Sequence, residues 1–222
     1  KQNIKSVIFE KSSSVSEYGA GISISKNGQY VLSELELLDE LRSISGNPQK
    51  AIFYSGSKKI TSINSNVVTT SRKSLYDLLL NKYIDTGGKV LFNHELIDVN
   101  NLIKKVFFKN GLSYEVSHIA ACEGINSICR LKTIDNAKPI YSGYSVWRSI
   151  LDQNQEDINF YLGPNFHVVT YPISKTKTSF VAAVKKNTKN DESWYAKGTY
   201  EDLKEVIPED ILIKYKHLKI SK

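Results

Sequence analysis

The stretch from Ile119 to Arg130, IAACEGINSICR, constrains the fold more than any other part of this sequence. Its first four residues predict a short apolar strand, Glu123 and Gly124 predict a turn, and Asn126 or Ser127 can cap a following helix. Such a junction brings a carboxylate, a glycine and free helix amide groups to one strand end. Open α/β sheets bind phosphate- or ribose-bearing ligands there, because helix N–H groups favour an anion and glycine permits close approach. An ordinary tight turn explains the same spacing equally well.

An earlier segment has the residue types of a ribose site. The run from Ser6 to Phe9 predicts a buried parallel strand that ends at Glu10 and Lys11. An acid at that position accepts hydrogen bonds from ribose hydroxyls in nucleotide-binding α/β units, although an exposed acid without this role is the simpler alternative. Further on, Gly21 closes a Gly-Ala-Gly run and permits close approach of either a flat ligand or a neighbouring strand.

A basic side chain lies at an unfavourable place in the second predicted helix. Ser71 is expected to cap this helix, so that Arg72 falls in its first turn. A cation there opposes the helix dipole. Arg72 is therefore expected to have an anionic partner, which is either a carboxylate or a ligand phosphate.

The composition is typical of a globular protein without a membrane span. The 222 residues are 41% hydrophobic and 24% charged, and no apolar run approaches the roughly 20 residues that cross a bilayer. Lysine and arginine exceed aspartate and glutamate by 30 to 23, and because the excess is dispersed it favours solvated faces over a nucleic-acid surface. Two cysteines and four scattered histidines provide neither a disulfide framework nor metal-ligand spacing. A cytoplasmic protein is expected.

The hydrophobic periodicity predicts helices and hairpins first and a larger sheet later. Apolar residues at three- and four-residue steps predict one helix from Gly28 to Ile44, and the second helix ends at Gly87 and Gly88. The turn at Asn110 and Gly111 is a strong hairpin signal. The predicted strands are 51–54, 58–63, 89–92, 96–99, 105–109 and 113–119, then 141–151, 158–162, 167–173 and 180–185 as an antiparallel sheet, followed by short helices at 199–206 and 208–215.

Seven short segments, in a fixed order and spacing, resemble the FAD-dependent aromatic monooxygenases of the para-hydroxybenzoate hydroxylase class, and within it the salicylate hydroxylase-like members. The segments are VIFEK (7–11), GAGISISKNG (19–28), SRKSLYDLL (71–79), FNHELIDV (92–99), ACEGINSICR (121–130), YSGYSVWRSI (141–150) and YLGPNFHVVTYPI (161–173).

The resemblance implies an α/β (α+β) fold, in which a Rossmann-like three-layer domain that binds FAD and NAD(P) carries an inserted antiparallel β-sheet substrate domain. Residues 1–135 would form a partial FAD-binding domain, with the hairpin near 51–63 on the substrate side. Residues 136–190 would form the substrate domain and residues 191–222 a helical, incomplete C-terminal part. The chain starts with Lys1 and has no methionine, so a fragment is expected that lacks the N-terminal Gly-rich turn and the later Gly-Asp segment.

The resemblance also assigns cofactor contacts. Glu10 would hold the FAD ribose, Arg72 would contact the cofactor from its helix, and the backbone of Leu96 would lie near the adenine. Glu123 and Gly124 stand where the family has Asp-Gly in a Gly-Ala-Asp-Gly run that touches FAD and the nicotinamide donor. The run here is Ala-Cys-Glu-Gly, so the longer glutamate has to reposition its carboxylate. The complete set of implied cofactor-binding residues is Glu10, Lys11, Gly21, Arg72, Leu96, Glu123 and Gly124.

The implied catalytic residues are His167 and Tyr171, which lie four apart on one predicted strand and therefore on the same face. In the resembling enzymes a histidine at this place faces the substrate, and a histidine can take a phenolic proton near neutral pH. A surface histidine on a strand is the alternative. The implied reaction uses NADH or NADPH and O2 to hydroxylate a small aromatic substrate through a flavin C4a-hydroperoxide.

Two other functions are compatible with the sequence. The first is a related flavoprotein oxidoreductase that acts on a non-aromatic substrate. The second is a non-catalytic remnant whose basic surface binds an acidic partner or nucleic acid, in which case binding would weaken steeply with salt.

Overall fold

The computed structural model describes residues 4–14, 21–186 and 198–215, which fall into two units. The sheet unit comprises residues 21–82, 143–186 and 198–215, and the small unit comprises residues 4–14 and 83–142. Each unit is thus assembled from separate stretches of chain. The identification of a FAD-binding part and a substrate part, with boundaries at residues 135 and 190, stays a prediction. Gly19, Ala20 and residues 191–197 and 216–222 lie outside the described residues.

The described residues form thirteen strands and six α-helices. The strands are β1 (Val7–Phe9), β2 (Gly21–Ile24), β3 (Lys50–Ser55), β4 (Lys58–Asn64), β5 (Val68–Ser71), β6 (Lys89–Leu91), β7 (Leu96–Asn100), β8 (Lys105–Phe108), β9 (Ser113–Glu115), β10 (Tyr144–Leu151), β11 (Ile158–Gly163), β12 (Phe166–Pro172) and β13 (Thr178–Lys185). The helices are α1 (Lys26–Glu34), α2 (Leu38–Ile44), α3 (Arg72–Asp85), α4 (Ile128–Thr133), α5 (Tyr200–Lys204) and α6 (Glu209–Leu212). Among the described residues, none of the helices has the length and apolar character to cross a membrane.

The predicted antiparallel sheet is confirmed as part of a larger, six-stranded sheet. Its strand order is β10-β13-β12-β11-β3-β4. All neighbouring strands are antiparallel except β11 and β3, which run parallel and pair Ile158 with Ala51. The hairpin β3–β4 therefore extends the sheet by two strands, although about a hundred residues separate it from β11 in sequence.

One face of this sheet is covered by the predicted C-terminal helices, which are confirmed as α5 and α6. Trp147, Val168 and Phe180 are fully buried on this face, together with Leu203 of α5 and Ile211 of α6. Thr199 caps α5 through a reciprocal pair of hydrogen bonds with Asp202, which fixes the start of the helix. Burial of large side chains on this scale contributes about 1.5–3 kcal/mol each.

The single helix predicted from Gly28 to Ile44 is wrong, because the chain forms α1 and α2 with a break between them. Glu36 takes a left-handed conformation with φ of 61° at the break. In an unbroken helix, Leu32 and Leu37 would lie about 140° apart around the axis. The break lets both side chains enter one core with Leu41, whereas Val31 and Ile44 are exposed.

The strand predicted at residues 119–122 is also wrong, and the preceding strand ends at Glu115 rather than at Ile119. Residues 117–126 are exposed, and Ile119 keeps 43% of its surface accessible. A strand needs a neighbouring strand to satisfy its backbone groups. In the described residues β1 pairs only with β6, and no strand pairs with residues 119–122.

The small unit has an aromatic centre instead of a large sheet. Phe9 follows the parallel pair of β1 with β6, and its ring lies 4.7 Å from that of Phe108 and 5.0 Å from that of Tyr114. His94 closes the cluster, since its Nε2 lies 3.1 Å from the Tyr114 hydroxyl and its Nδ1 lies 2.7 Å from the Phe92 carbonyl oxygen. The cluster connects β1 with the antiparallel meander β7-β8-β9.

Candidate functional site

The residues proposed from the sequence for the site are distributed over both units. The sheet unit contains Gly21, Arg72, His167 and Tyr171. The small unit contains Glu10, Lys11, Leu96, Glu123 and Gly124.

The strand β12 places His167 and Tyr171 on the same face of the sheet. Phe166, Val168 and Thr170 alternate with them and are buried on the other face, against the C-terminal helices. His167 is exposed, whereas Tyr171 keeps only 9% of its surface accessible. Four residues of strand separate them by about 13 Å, so the two side chains belong to one surface without forming a contacting pair. This surface is called the His167 face below.

The ring of Tyr171 is covered by the residue expected to approach a flat ligand or a strand. A β-carbon added to Gly21 would lie 2.6 Å from both Cε2 and the hydroxyl oxygen of Tyr171. The backbone of β2 can therefore pass over this ring only because residue 21 is a glycine. Burial raises the pKa of Tyr171, and it does so against the opposing effects of a hydrogen bond with Ser179 and the positive charge of Arg148. In the described structure, the flat group next to Gly21 is thus this tyrosine.

The sequence analysis missed Arg148 as a member of the site. Arg148 pairs with Val181 of β13, and Val181 pairs with Val169 of β12, so the guanidinium side chain stands on the His167 face. The same row continues with Phe160 and Phe53, whose rings stack with centroids 4.9 Å apart and planes 8° apart. Strand alternation could have located Arg148, because its neighbour Trp147 is a typical core residue.

Taken together, the His167 face offers three kinds of contact to a ligand. The stacked pair Phe53 and Phe160 gives a flat apolar surface, Arg148 gives a planar cation, and His167 gives a group that can exchange a proton near neutral pH. A flat ring with a carboxylate and a hydroxyl group matches all three.

In the small unit, Glu10 lies at the carboxyl end of a parallel strand pair, where α/β sheets bind nucleotides. The backbone amide of Ser12 donates to Glu10 Oε1 at 2.8 Å, and no described residue is seen to donate to Oε2. The half-buried Glu10 therefore fits the hydroxyl groups of a ribose. Lys11 next to it is exposed, and Leu96 begins β7 beside an irregularity in its pairing with β8.

The amide groups expected to bind a ligand anion at the start of α4 are occupied by Glu123. Its Oε2 accepts from the Ser127 hydroxyl at 2.8 Å and from the Cys129 amide at 3.0 Å, and its Oε1 accepts from the Ile128 amide at 3.2 Å. Partial burial raises the pKa of Glu123, but these hydrogen bonds outweigh it and hold the pKa below its ordinary value. Gly124 follows with φ of 77°, which allows the turn. This junction does not fit a phosphate while the carboxylate occupies it.

Comparisons with known proteins were made with the whole chain. No protein-family model matches it. Over 199 residues, or 80% of the chain and 50% of the relative, it is 23% identical to 3-hydroxybenzoate 6-hydroxylase 1 of Aquipseudomonas alcaligenes. Over 201 residues, with the same coverage, it is 26% identical to 3-amino-4-hydroxybenzoate 2-monooxygenase of Streptomyces cremeus. The chain resembles aromatic-ring monooxygenases.

A solved structure extends this similarity to the fold. HpxO of Klebsiella pneumoniae, crystallised with FAD and uric acid, superposes with a TM-score of 0.81 at 17% identity, covering 96% of this chain and 59% of HpxO. The predicted α/β fold class and the predicted resemblance to flavoprotein monooxygenases are therefore confirmed. The chain spans about half the length of the curated relatives that it matches. Within the described residues, no group of histidine, cysteine, aspartate or glutamate side chains could hold a metal ion.

Proposed function

We propose that this chain forms the substrate-binding sheet and part of the cofactor site of an FAD-dependent monooxygenase, which uses NADH or NADPH and O2 to hydroxylate a small aromatic substrate. The observation that carries the proposal is the His167 face, where a stacked phenylalanine pair, a guanidinium and an imidazole lie on one sheet surface. The similarity to two hydroxybenzoate monooxygenases over 80% of the chain supports the same assignment.

The substrate proposed for this face is a hydroxylated aromatic carboxylate. Arg148 would bind the carboxylate, because a guanidinium matches it with two parallel hydrogen bonds. The rings of Phe53 and Phe160 would stack on the substrate ring. His167 would accept the phenolic proton, which makes the ring more electron-rich and so more reactive towards an oxygen donor. Tyr171, covered by Gly21, would shape the far end of the surface.

The cofactor would be held chiefly from the small unit. Glu10 would accept hydrogen bonds from the ribose through Oε2, with Lys11 beside it and the backbone of Leu96 near the adenine. Arg72, which is exposed as the first residue of α3, would supply a positive charge for a phosphate. When bound, FAD supplies the electron transfer and oxygen activation that protein side chains cannot. Glu123 and Gly124 would contact the cofactor only after the Glu123 carboxylate leaves the α4 amides.

The first experiment tests flavin binding by the purified chain. The chain is incubated with FAD and desalted, and retained flavin is read from the visible absorption bands. In parallel, FAD is titrated into Glu10→Gln, with Glu115→Gln as the matched control because Glu115 is an exposed acid in the same unit. Loss of the charged acceptor should weaken FAD binding by about 1.5–3 kcal/mol, and the control should leave it unchanged.

Either of two results would contradict this cofactor assignment. Equal FAD affinities of the two variants would remove Glu10 from the site. A chain that retains no flavin and consumes no NADH or NADPH with any hydroxybenzoate would instead favour a non-catalytic protein that binds an acidic partner, and the salt dependence of that binding would then be measured.

The second experiment tests the role of His167. In the flavin-loaded protein, His167→Ala should slow hydroxylation of a hydroxybenzoate much more than it slows flavin reduction by NADH or NADPH, because only hydroxylation needs the phenolic proton removed. Leu162→Ala is the matched control, since Leu162 is the exposed cross-strand neighbour of His167 and carries no titratable group. Equal slowing of both steps by His167→Ala would assign a structural role to this residue.

A further inference from the structure

We propose that the sheet unit contains a second binding site, for a small aromatic carboxylate, in a cavity that shares no residue with the site proposed above. The cavity measures about 590 Å3, and helices α1 and α2 and the segments 47–49 and 65–68 line it. Ligand pockets of about 300–1,000 Å3 accommodate a small molecule with most of its surface buried. This inference does not depend on the proposed monooxygenase activity.

The charge of the cavity favours an anion. Lys26 from the first turn of α1 and Arg42 from α2 are the charged side chains that line it, and no carboxylate among the described residues does. The nearest acid, Asp39, is fully exposed and has its Oδ1 4.0 Å from Arg42 Nη1. Such a distant, solvated pair contributes little. Two positive charges are therefore directed at a concave surface without an opposing charge on its wall.

A buried side chain holds the guanidinium in place. Gln29 keeps only 8% of its surface accessible, and its amide nitrogen donates to the carbonyl oxygens of Ile24 at 3.0 Å and of Asn66 at 2.8 Å. These bonds fix the orientation of the amide, so its oxygen points to Arg42 and accepts from Nη2 at 3.0 Å. A solvated surface arginine has no need of such an arrangement, whereas a binding site gains from a cation whose geometry is set in advance.

The rest of the lining selects an aromatic ring rather than a simple ion. Leu38, Pro48 and Val67 form apolar wall, and Tyr30 adds the face or edge of a ring. An inorganic anion would leave this apolar surface in contact with water. A benzoate-like molecule would bury it while its carboxylate reaches Arg42 and Lys26, and the side-chain amide of Asn47 could accept or donate at the rim.

The test uses the 222-residue chain and benzoate as the probe. Binding is followed by calorimetry and by the NMR signals of the side-chain amides of Gln29 and Asn47. Benzoate should bind and shift these signals, and neutral benzamide should bind much more weakly. Arg42→Gln should weaken benzoate binding at least about tenfold, which is the usual loss when a charged hydrogen bond is removed. Lys58→Gln, an exposed cation on β4, should have no effect.

Further arms keep the outcomes distinct. Lys26→Gln should weaken binding several-fold and, because Lys26 is exposed, leaves the fold intact if Arg42→Gln does not. Arg148→Gln should leave the benzoate-induced shifts of Gln29 and Asn47 unchanged, which separates this cavity from the His167 face. Unshifted amide signals, or equal benzoate affinity of the Lys26→Gln and Lys58→Gln variants, would overturn the proposal. Inorganic phosphate that binds as tightly as benzoate would overturn the aromatic specificity.

Discussion

Gly46 joins the end of α2 to the sheet, and its replacement by alanine gives the sharpest test of this packing. Its backbone exchanges hydrogen bonds with Thr69 of β5, at 2.7 Å from the Gly46 amide and at 3.0 Å to the Gly46 carbonyl oxygen. A β-carbon at residue 46 would lie 2.4 Å from the carbonyl oxygen of Pro172 and 2.8 Å from its carbonyl carbon. The Thr69 hydroxyl donates to the same Pro172 oxygen at 2.6 Å. The added methyl group would therefore force apart backbone segments that a side-chain rotation cannot relieve.

The expected magnitude follows from three contributions to the free energy of unfolding. Overpacking costs about 1–3 kcal/mol. Loss of the hydrogen bond from Thr69 to Pro172 costs about 1 kcal/mol more. The lower flexibility of alanine in the unfolded chain returns about 0.4–1 kcal/mol. Gly46→Ala should thus destabilise the protein by about 1–3 kcal/mol, measured as a lower urea midpoint with an unchanged slope in far-UV circular dichroism.

A double-mutant cycle with Thr69→Val tests whether the methyl group acts through Pro172. Because Gly46→Ala already displaces the Pro172 oxygen, the double variant should cost about 1 kcal/mol less than the two single losses added together. Gly28→Ala is the control, since its β-carbon would meet only the side-chain Cγ2 of Ile24, at 2.9 Å, and alanine favours the helix. A Gly46→Ala variant within about 0.5 kcal/mol of the wild type, the range of ordinary surface substitutions, would refute the reasoning.

Three further predictions concern single side chains. Glu123→Gln should reduce stability at neutral pH, and because the folded pKa of Glu123 is lowered, the difference from the wild type should shrink as urea unfolding is repeated at pH values falling through about 4. A thiol reagent at pH 8 should label one cysteine of the native protein, the exposed Cys122, since burial and the nearby Glu123 raise the pKa of Cys129 to about 12; labelling of both before unfolding would contradict this. Tyr215→Phe should cost about 1 kcal/mol in urea unfolding, because the Tyr215 hydroxyl lies 3.0 Å from the buried Thr170 hydroxyl, and an unchanged midpoint would show that this contact contributes nothing.

Local signals in the sequence predicted those elements that depend on neighbouring residues. Ser71 caps α3 as expected, with its hydroxyl accepting from the Ser74 amide at 2.9 Å. The turn at Asn110 and Gly111 joins β8 to β9, and Gly111 takes the positive φ of 83° that this turn needs. Alternation placed His167 and Tyr171 on one face, and the pairing of β12 bears this out.

Features that depend on distant residues or on a competing side chain could not be predicted in the same way. The break at Glu36 is stabilised by burial of Leu37 beside Leu32, which the leucine periodicity alone does not reveal. The start of α4 has the residues of an anion site, but Glu123 reaches the helix amides itself, because a glutamate is long enough to fold back. Arg148 became a candidate only when the β10–β13 register placed it beside Val181.

The parallel pairing of β3 with β11 has a consequence for how the protein is made. The hairpin β3–β4 leaves the ribosome first, but the strand that pairs with β3 follows 107 residues later, as measured between Lys50 and Asp157. At a synthesis rate of about 5–20 residues per second, the edge of β3 waits roughly 5–20 s for its partner. During that interval its unpaired backbone can associate with other nascent chains. The yield of folded protein should therefore depend on translation speed and on chaperones that shield this edge.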